Sequence, residues 1–186
     1  MKKIILASGS PRRREILKNA GLDFEVHPSG YEEVLNDDVF TPEKIENLAY
    51  NKASYVAEEI KENAVIIGAD TVVVLNNKIL TKPHDKKDAY IMLKSLSGVE
   101  HTVVTGICVI DKYNNTKKID SVTTKVEFKK LTDEQINYYI DNFKPFDKAG
   151  SYGIQELPKG YVEKVDGSFE NVIGICSEKV KEMLEL

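Results

Sequence analysis

Apolar and polar positions along the chain divide it into alternating strands and helices. Ile4-Ile5-Leu6 is a short apolar run that predicts a strand. Ser8, Gly9 and Ser10 then suit a tight loop and a helix N-cap, and Pro11 suits the first helical position, where its missing N–H costs nothing. Arg13, Ile16, Leu17 and Ala20 recur at the spacing of one helical face. Arg13 thus falls in line with core-facing side chains, while Arg14 and Glu15 face water. Phe24 to His27 predicts a second strand, and Pro28 to Thr41 a polar, acidic loop containing Glu32 and Glu33. Thr41-Pro42 starts a helix whose stripe is Ile45, Leu48, Ala49, Lys52, Val56 and Ile60. Lys52 stands where the period asks for an apolar residue, so it either snorkels at the core's edge or points into a cleft.

Ala64 to Ala69 is continuously apolar or glycine, the pattern of a central strand covered on both faces, and it is expected to end at Asp70-Thr71. Val72 to Leu75, Asn76-Asn77 and Lys78 to Leu80 predict a hairpin that returns Lys82 close to Asp70 and Thr71. Asp85 to Leu96 reads as an amphipathic helix closed by Gly98. Glu100 to Ile110 and Lys117 to Lys129 form a long hairpin around Asn114-Asn115, and Thr132 caps a helix running through Ile136, Tyr139, Ile140 and Phe143. Asp147 to Gln155 is a glycine-bearing loop able to approach a ligand. Val162 to Val165 and Phe169 to Ile175 are expected to close the sheet, and Ser177 to cap a last helix with Val180, Met183 and Leu184 inward. The expectation is one compact α/β unit over residues 1–186, split by a central cleft.

With 186 residues, 41% hydrophobic and 30% charged, the composition is that of an ordinary soluble globular protein. A net charge of −4 argues against holding long nucleic acid, so the Arg12 to Arg14 cluster must serve something small. No apolar run approaches the ~18 residues of a membrane span. The N-terminus carries no signal-peptide core, and Cys108 and Cys176 read as buried reduced thiols; together these point to a cytoplasmic protein.

Several residues are left unexplained by packing. A helix N-terminus with free N–H groups and three arginines suits a phosphate. Lys52 and Lys82 add cations, and Asp70, Glu32 and Glu33 add carboxylates. These carboxylates can hold a divalent cation, Mg²⁺ or Mn²⁺, through oxygen ligands, or one of them can deprotonate a water. There is no GxxxxGK[ST] loop and no serine or cysteine triad, and His27, His84 and His101 lack metal-ligand spacing. Hydrolysis of a nucleotide polyphosphate is the reaction that fits.

Five motifs occur in one order: Ser8-Gly9-Ser10-Pro11-Arg12-Arg13; Gly68-Ala69-Asp70-Thr71-Val72; Lys82-Pro83; Leu96-Ser97-Gly98 with His101 and Thr105-Gly106; and Asp147-Lys148-Ala149-Gly150-Ser151-Tyr152-Gly153-Ile154-Gln155. In this the chain resembles the Maf family of house-cleaning nucleoside triphosphate pyrophosphatases, which are related in fold to inosine triphosphatases. The resemblance implies a mixed twisted sheet with helices around it, two lobes about a cleft, a divalent cation, and often a homodimer. It implies hydrolysis of a nucleoside triphosphate to the monophosphate and pyrophosphate. Asp70-Thr71-Val72 with Tyr152-Gly153-Ile154-Gln155 resembles the branch acting on dTTP and UTP, whereas the 7-methyl-GTP branch has a different residue after the aspartate. The family has also been linked to restraint of cell division, so a nucleotide-binding regulator with little turnover is the rival reading. Carried over, Asp70 is the general base, assisted by Lys82 and Glu33, with Asp70 and Glu33 near the metal. Arg12, Thr71 and Gln155 are specificity positions, and Ser8, Arg13, Lys52 and Lys82 bind phosphate. The chain departs from the family pattern at Thr81, at Glu156 and at Gly174-Ile175-Cys176.

Overall fold

The computed structural model describes residues 2–33 and 39–186; part of the acidic loop expected over 28–41 lies outside these. In chain order the elements are β1 (Ile4–Leu6), α1 (Pro11–Asn19), β2 (Glu25–Val26), α2 (Pro42–Glu59), β3 (Val65–Leu75), β4 (Lys78–Leu80), α3 (Lys86–Leu96), β5 (Glu100–Asp111), β6 (Thr116–Phe128), α4 (Asp133–Phe143), β7 (Val162–Asp166), α5 (Phe169–Ile173) and α6 (Ser177–Leu184). Two 3₁₀ turns, Ala149–Ser151 and Ile154–Glu156, lie between α4 and β7. The strands form one mixed sheet in the order β2-β1-β3-β5-β6-β7, with β4 on β3. No helix among the described residues is long and apolar enough to cross a membrane.

β3 is the axis of this sheet. One of its edges pairs with β5 without a break from Val65 to Val74. The opposite edge is shared: β1 runs parallel to it at Val65–Ile67, and β4 antiparallel at Val73–Leu75. Among the described residues, 68–72 therefore have no strand partner on that side, and the cleft enters there. Asp70 lies in this gap, opposite Gly106 of β5. The expected strand end at Asp70 is thus corrected: the β1 pairing stops just short of it, but the strand continues to Leu75.

The two faces of β3 are packed differently. Val65, Ile67 and Ala69 join Leu6, Leu17, Val180 and Met183 in one apolar cluster. On the other face Ile66 meets Ala49, Ala53 and Val56, and Val72 and Val74 meet Ile45 and Leu48, all from α2. Two glycines let α2 lie almost on the sheet. A Cβ on Gly68 would stand 2.3 Å from the Ala49 carbonyl oxygen, and one on Gly106 would stand 2.4 Å from that of Ile45.

Local chemistry accounts for most element boundaries. Asn76 and Asn77 both take positive φ, as a two-residue hairpin turn requires. Thr132 and Gln135 form a reciprocal capping box at the start of α4. Two expectations fail. Phe169–Ile173 is a helix and not a closing strand, because Ser168 accepts a hydrogen bond from Asn171 N and starts a helical turn. Ser177 does not cap α6; it is the first helical residue, and its N–H and hydroxyl both donate to the Glu170 carboxylate. Cys108 and Cys176 are buried and unbonded, as expected.

Candidate active site

At the mouth of α1, Ser10 Oγ accepts from Arg13 N at 3.4 Å and Ser8 Oγ accepts from Ser10 N at 3.2 Å. The Arg13 guanidinium turns inward, as its place on the helical stripe requires. It donates to the Gly174 carbonyl at 2.9 Å, to Ser8 Oγ at 3.2 Å and to Thr71 Oγ1 at 3.0 Å. All three acceptors are neutral. Burial lowers the Arg13 pKa, and the charges of Asp70 and Glu33 oppose that shift. A cation held by neutral groups at the floor of an open cleft favours an anion above it.

Thr71 is fully engaged. A hydroxyl has one hydrogen and two acceptor sites. Thr71 Oγ1 lies 3.0 Å from the Gly174 carbonyl, to which it donates, and accepts from Arg13 Nη2 and from Thr105 Oγ1 at 2.9 Å. Thr71 thereby braces Arg13.

The second cluster comes from α2 and β3. Because α2 lies so close to the sheet, Lys52 reaches down to Asp70 Oδ1, and it also pairs with Glu33 Oε1 at 2.5 Å. Of the two sequence alternatives for Lys52, the cleft is the observed one. The Asp70 side chain is only 9% exposed. Burial raises its pKa, and Lys52 offsets this only in part. Glu33 differs: burial pushes it up, but Lys52, with Lys82 and Arg13, outweighs that and leaves it below its ordinary value.

Lys82 is exposed and makes no side-chain hydrogen bond or ion pair among the described residues, so its ammonium is available to a ligand. Arg12 Nη1 donates to Asp147 Oδ2 at 3.3 Å. Gln155 is exposed in the second 3₁₀ turn. A cavity of about 460 Å³ is lined by Ser8, Arg12, Arg13, Glu33, Lys52, Asp70, Thr71, Lys82 and Gln155, whereas Glu32, the other acidic candidate of that loop, is exposed and does not line it. With Lys148 and Asp147, five cations and three carboxylates line it among the described residues, a positive excess suited to a polyphosphate.

A family model for Maf-like protein matches residues 3–186. The chain belongs to the Maf family. A dTTP/UTP pyrophosphatase of a Thermoanaerobacter species is 47% identical over 188 residues, covering 98% of this chain and 95% of its own. A dTTP/UTP pyrophosphatase of Thermosipho africanus is 49% identical over 183 residues, covering 98% and 92%. Among solved structures, a nucleoside-triphosphatase / dITP/XTP pyrophosphatase from Mycobacterium abscessus is 17% identical, covers 68% of this chain and 74% of its own, and superposes with a TM-score of 0.46.

Two groups near this Maf cleft escape the sequence patterns. His101 is 2% exposed, and its Nε2 lies 2.7 Å from the hydroxyl of Tyr152, a cleft residue. Burial lowers its pKa to about 4, so it is a neutral strut at physiological pH. Lys148 is 8% exposed and pairs with Asp147 at 2.8 Å and Glu156 at 3.2 Å. Neither sits on a periodic stripe that would mark it as unusual; only their presence inside motifs of the family singled out these stretches.

Proposed function

We propose that this Maf protein, acting as a single unit over residues 1–186, hydrolyses nucleoside triphosphates, dTTP and UTP foremost, to the monophosphate and pyrophosphate. The observation that carries this reading is the buried Asp70 carboxylate, facing a cleft in which cations outnumber carboxylates five to three among the described residues. A carboxylate whose pKa is raised by burial is a stronger base than a free one, and Asp70 accepts the proton of the attacking water. Lys52 orients that carboxylate and Glu33 together. Arg13, Ser8 and Lys82 grip the phosphates and stabilise the charge that builds on departing pyrophosphate. Gln155, with its amide exposed in the cleft, reads the pyrimidine edge. Arg12 and Thr71 are the other specificity positions, and Thr71 also braces the phosphate-gripping Arg13.

Asp70 and Glu33 present oxygen donors converging on one cationic point, now the Lys52 ammonium. That set fits Mg²⁺ or Mn²⁺, which use one or two carboxylates and complete their shell with substrate phosphates and water. Held by Asp70 and Glu33, such a cation would neutralise phosphate charge.

The test is product analysis for dTTP, UTP, CTP, ATP, GTP and 7-methyl-GTP, with and without each divalent cation. Monophosphate and pyrophosphate are expected, with kcat/KM highest for dTTP and UTP. Diphosphate with orthophosphate would move the scissile bond. A purine turned over best would overturn the base assignment, and binding without turnover would favour the regulator.

A further inference from the structure

We propose that Lys148 is a positioning residue that sets base selectivity by fixing the turn carrying Gln155 relative to Arg12. This rests on the reading of the cleft as a pyrimidine triphosphate site.

The Lys148 side chain is 9% exposed, and a buried ammonium is unfavourable unless paired. Its two partners come from the two ends of one loop, Asp147 at 2.8 Å and Glu156 at 3.2 Å. The lysine is therefore satisfied only when the loop closes around it. The stem lies flat over the chain between: a Cβ on Gly153 would stand 2.9 Å from Lys148 Cε and 3.2 Å from Glu156 Oε2.

The loop's remaining bonds show what this closure holds. Glu156 N donates to the Gly153 carbonyl at 2.9 Å and shuts the turn in which Gln155 sits. Gly153 N donates to the Tyr139 hydroxyl at 3.0 Å, and Gly150 N to the Thr81 carbonyl at 3.1 Å, next to Lys82. Asp147 divides its oxygens, one to Lys148 and one to Arg12 at 3.3 Å. A continuous chain of charges thus runs Arg12–Asp147–Lys148–Glu156, with Gln155 beside its last member. An apolar side chain would fill the space at less desolvation cost; what the ion chain adds is a defined geometry.

The experiment compares Lys148→Met, Lys148→Arg and Glu156→Gln with the wild type. It measures kcat and KM for dTTP, UTP and CTP, inhibition by inorganic pyrophosphate, and thermal melting. For Lys148→Met, KM for dTTP and UTP should rise about tenfold and the preference over CTP should fall by a similar factor. Inhibition by pyrophosphate, which has no base to position, should stay unchanged. Lys148→Arg should restore most of the preference, and Glu156→Gln, at a more exposed position, should shift it the same way by less. An unchanged preference in both Lys148→Met and Glu156→Gln overturns the proposal. So does a rise in the pyrophosphate inhibition constant in step with KM, which would make Lys148 a phosphate ligand. A wild type that releases no pyrophosphate from any of these nucleotides would instead overturn the functional reading, and this inference with it.

Discussion

Lys52 and Lys148 both line the cleft, are 11% and 9% exposed in their side chains, and are each held between two carboxylates. They differ in the carboxylates. Asp70 beside Lys52 is itself only 9% exposed, and burial raises its pKa. Asp147 beside Lys148 is 62% exposed; the little burial it has pushes it up, but Lys148 and Arg12 prevail and hold it below its ordinary value. The same ion pattern therefore accompanies the proposed base in one place and the proposed clasp in the other. Their supports differ as well. Lys52 rides on α2, pressed onto the sheet at Gly68 and Gly106, whereas Lys148 sits in a loop of short turns. Rigid elements carry the proposed chemistry, and an irregular loop carries the proposed base selection.

The sharpest break in that comparison is Asp70→Asn. Loss of general base catalysis should lower kcat by ~10²–10⁴-fold, read as pyrophosphate release, while calorimetry still detects nucleotide binding. Because burial raises the Asp70 pKa, the ionised form is the one the fold disfavours. At neutral pH the variant should melt at or above the wild type, and the gap should narrow as pH falls through the raised Asp70 pKa and be closed below the ordinary aspartate value of ~3.9. Near-normal turnover would shift the chemistry to Glu33, and a large loss of stability would make Asp70 a structural residue.

Gly106→Ala comes next. Its methyl would meet the backbone of α2, which cannot yield as a flexible side-chain end does. Urea unfolding should show a loss of ~1–3 kcal/mol. Displacement of α2 should also reduce turnover through Lys52. No loss of stability would mean that α2 has slack over the sheet.

Lys52→Met should give the smallest effect, seen in the pH dependence of turnover. Removing the cation that partly offsets burial raises the Asp70 pKa further, so the acid limb of kcat/KM should move to higher pH. Lys148→Met should leave that limb where it is. An acid limb displaced equally by both would erase the distinction between base and clasp.

Much of this site was legible because local chemistry wrote it. Ser10, Pro11 and the Arg13 stripe announced an inward arginine at a helix mouth, and Asn76-Asn77 announced the turn that leads the chain on to Lys82. Asp70 was found for the right reason, an acid after an apolar run, but misplaced at a strand end. The interruption belongs to the neighbouring strands β1 and β4, and no residue of β3 records where its partners stop. Phe169–Ile173 misled through its β-prone side chains, a weak preference that the Ser168 cap overrode. The demands on Gly68 and Gly106 were invisible, because they come from a helix distant in sequence.

The bond from Arg13 to the Gly174 carbonyl spans 161 residues. That distance is also a delay. At the pace of synthesis, 161 residues take roughly 10–30 seconds to follow Arg13 out of the ribosome. Late in that interval, once Phe128 has followed, the β5–β6 hairpin, built from neighbours in the chain, can form while Arg13 still lacks the carbonyl that completes its seat. A nascent chain of this protein thus acquires its long hairpin before the seat of Arg13 is complete, and truncation before Gly174 leaves that seat unfinished.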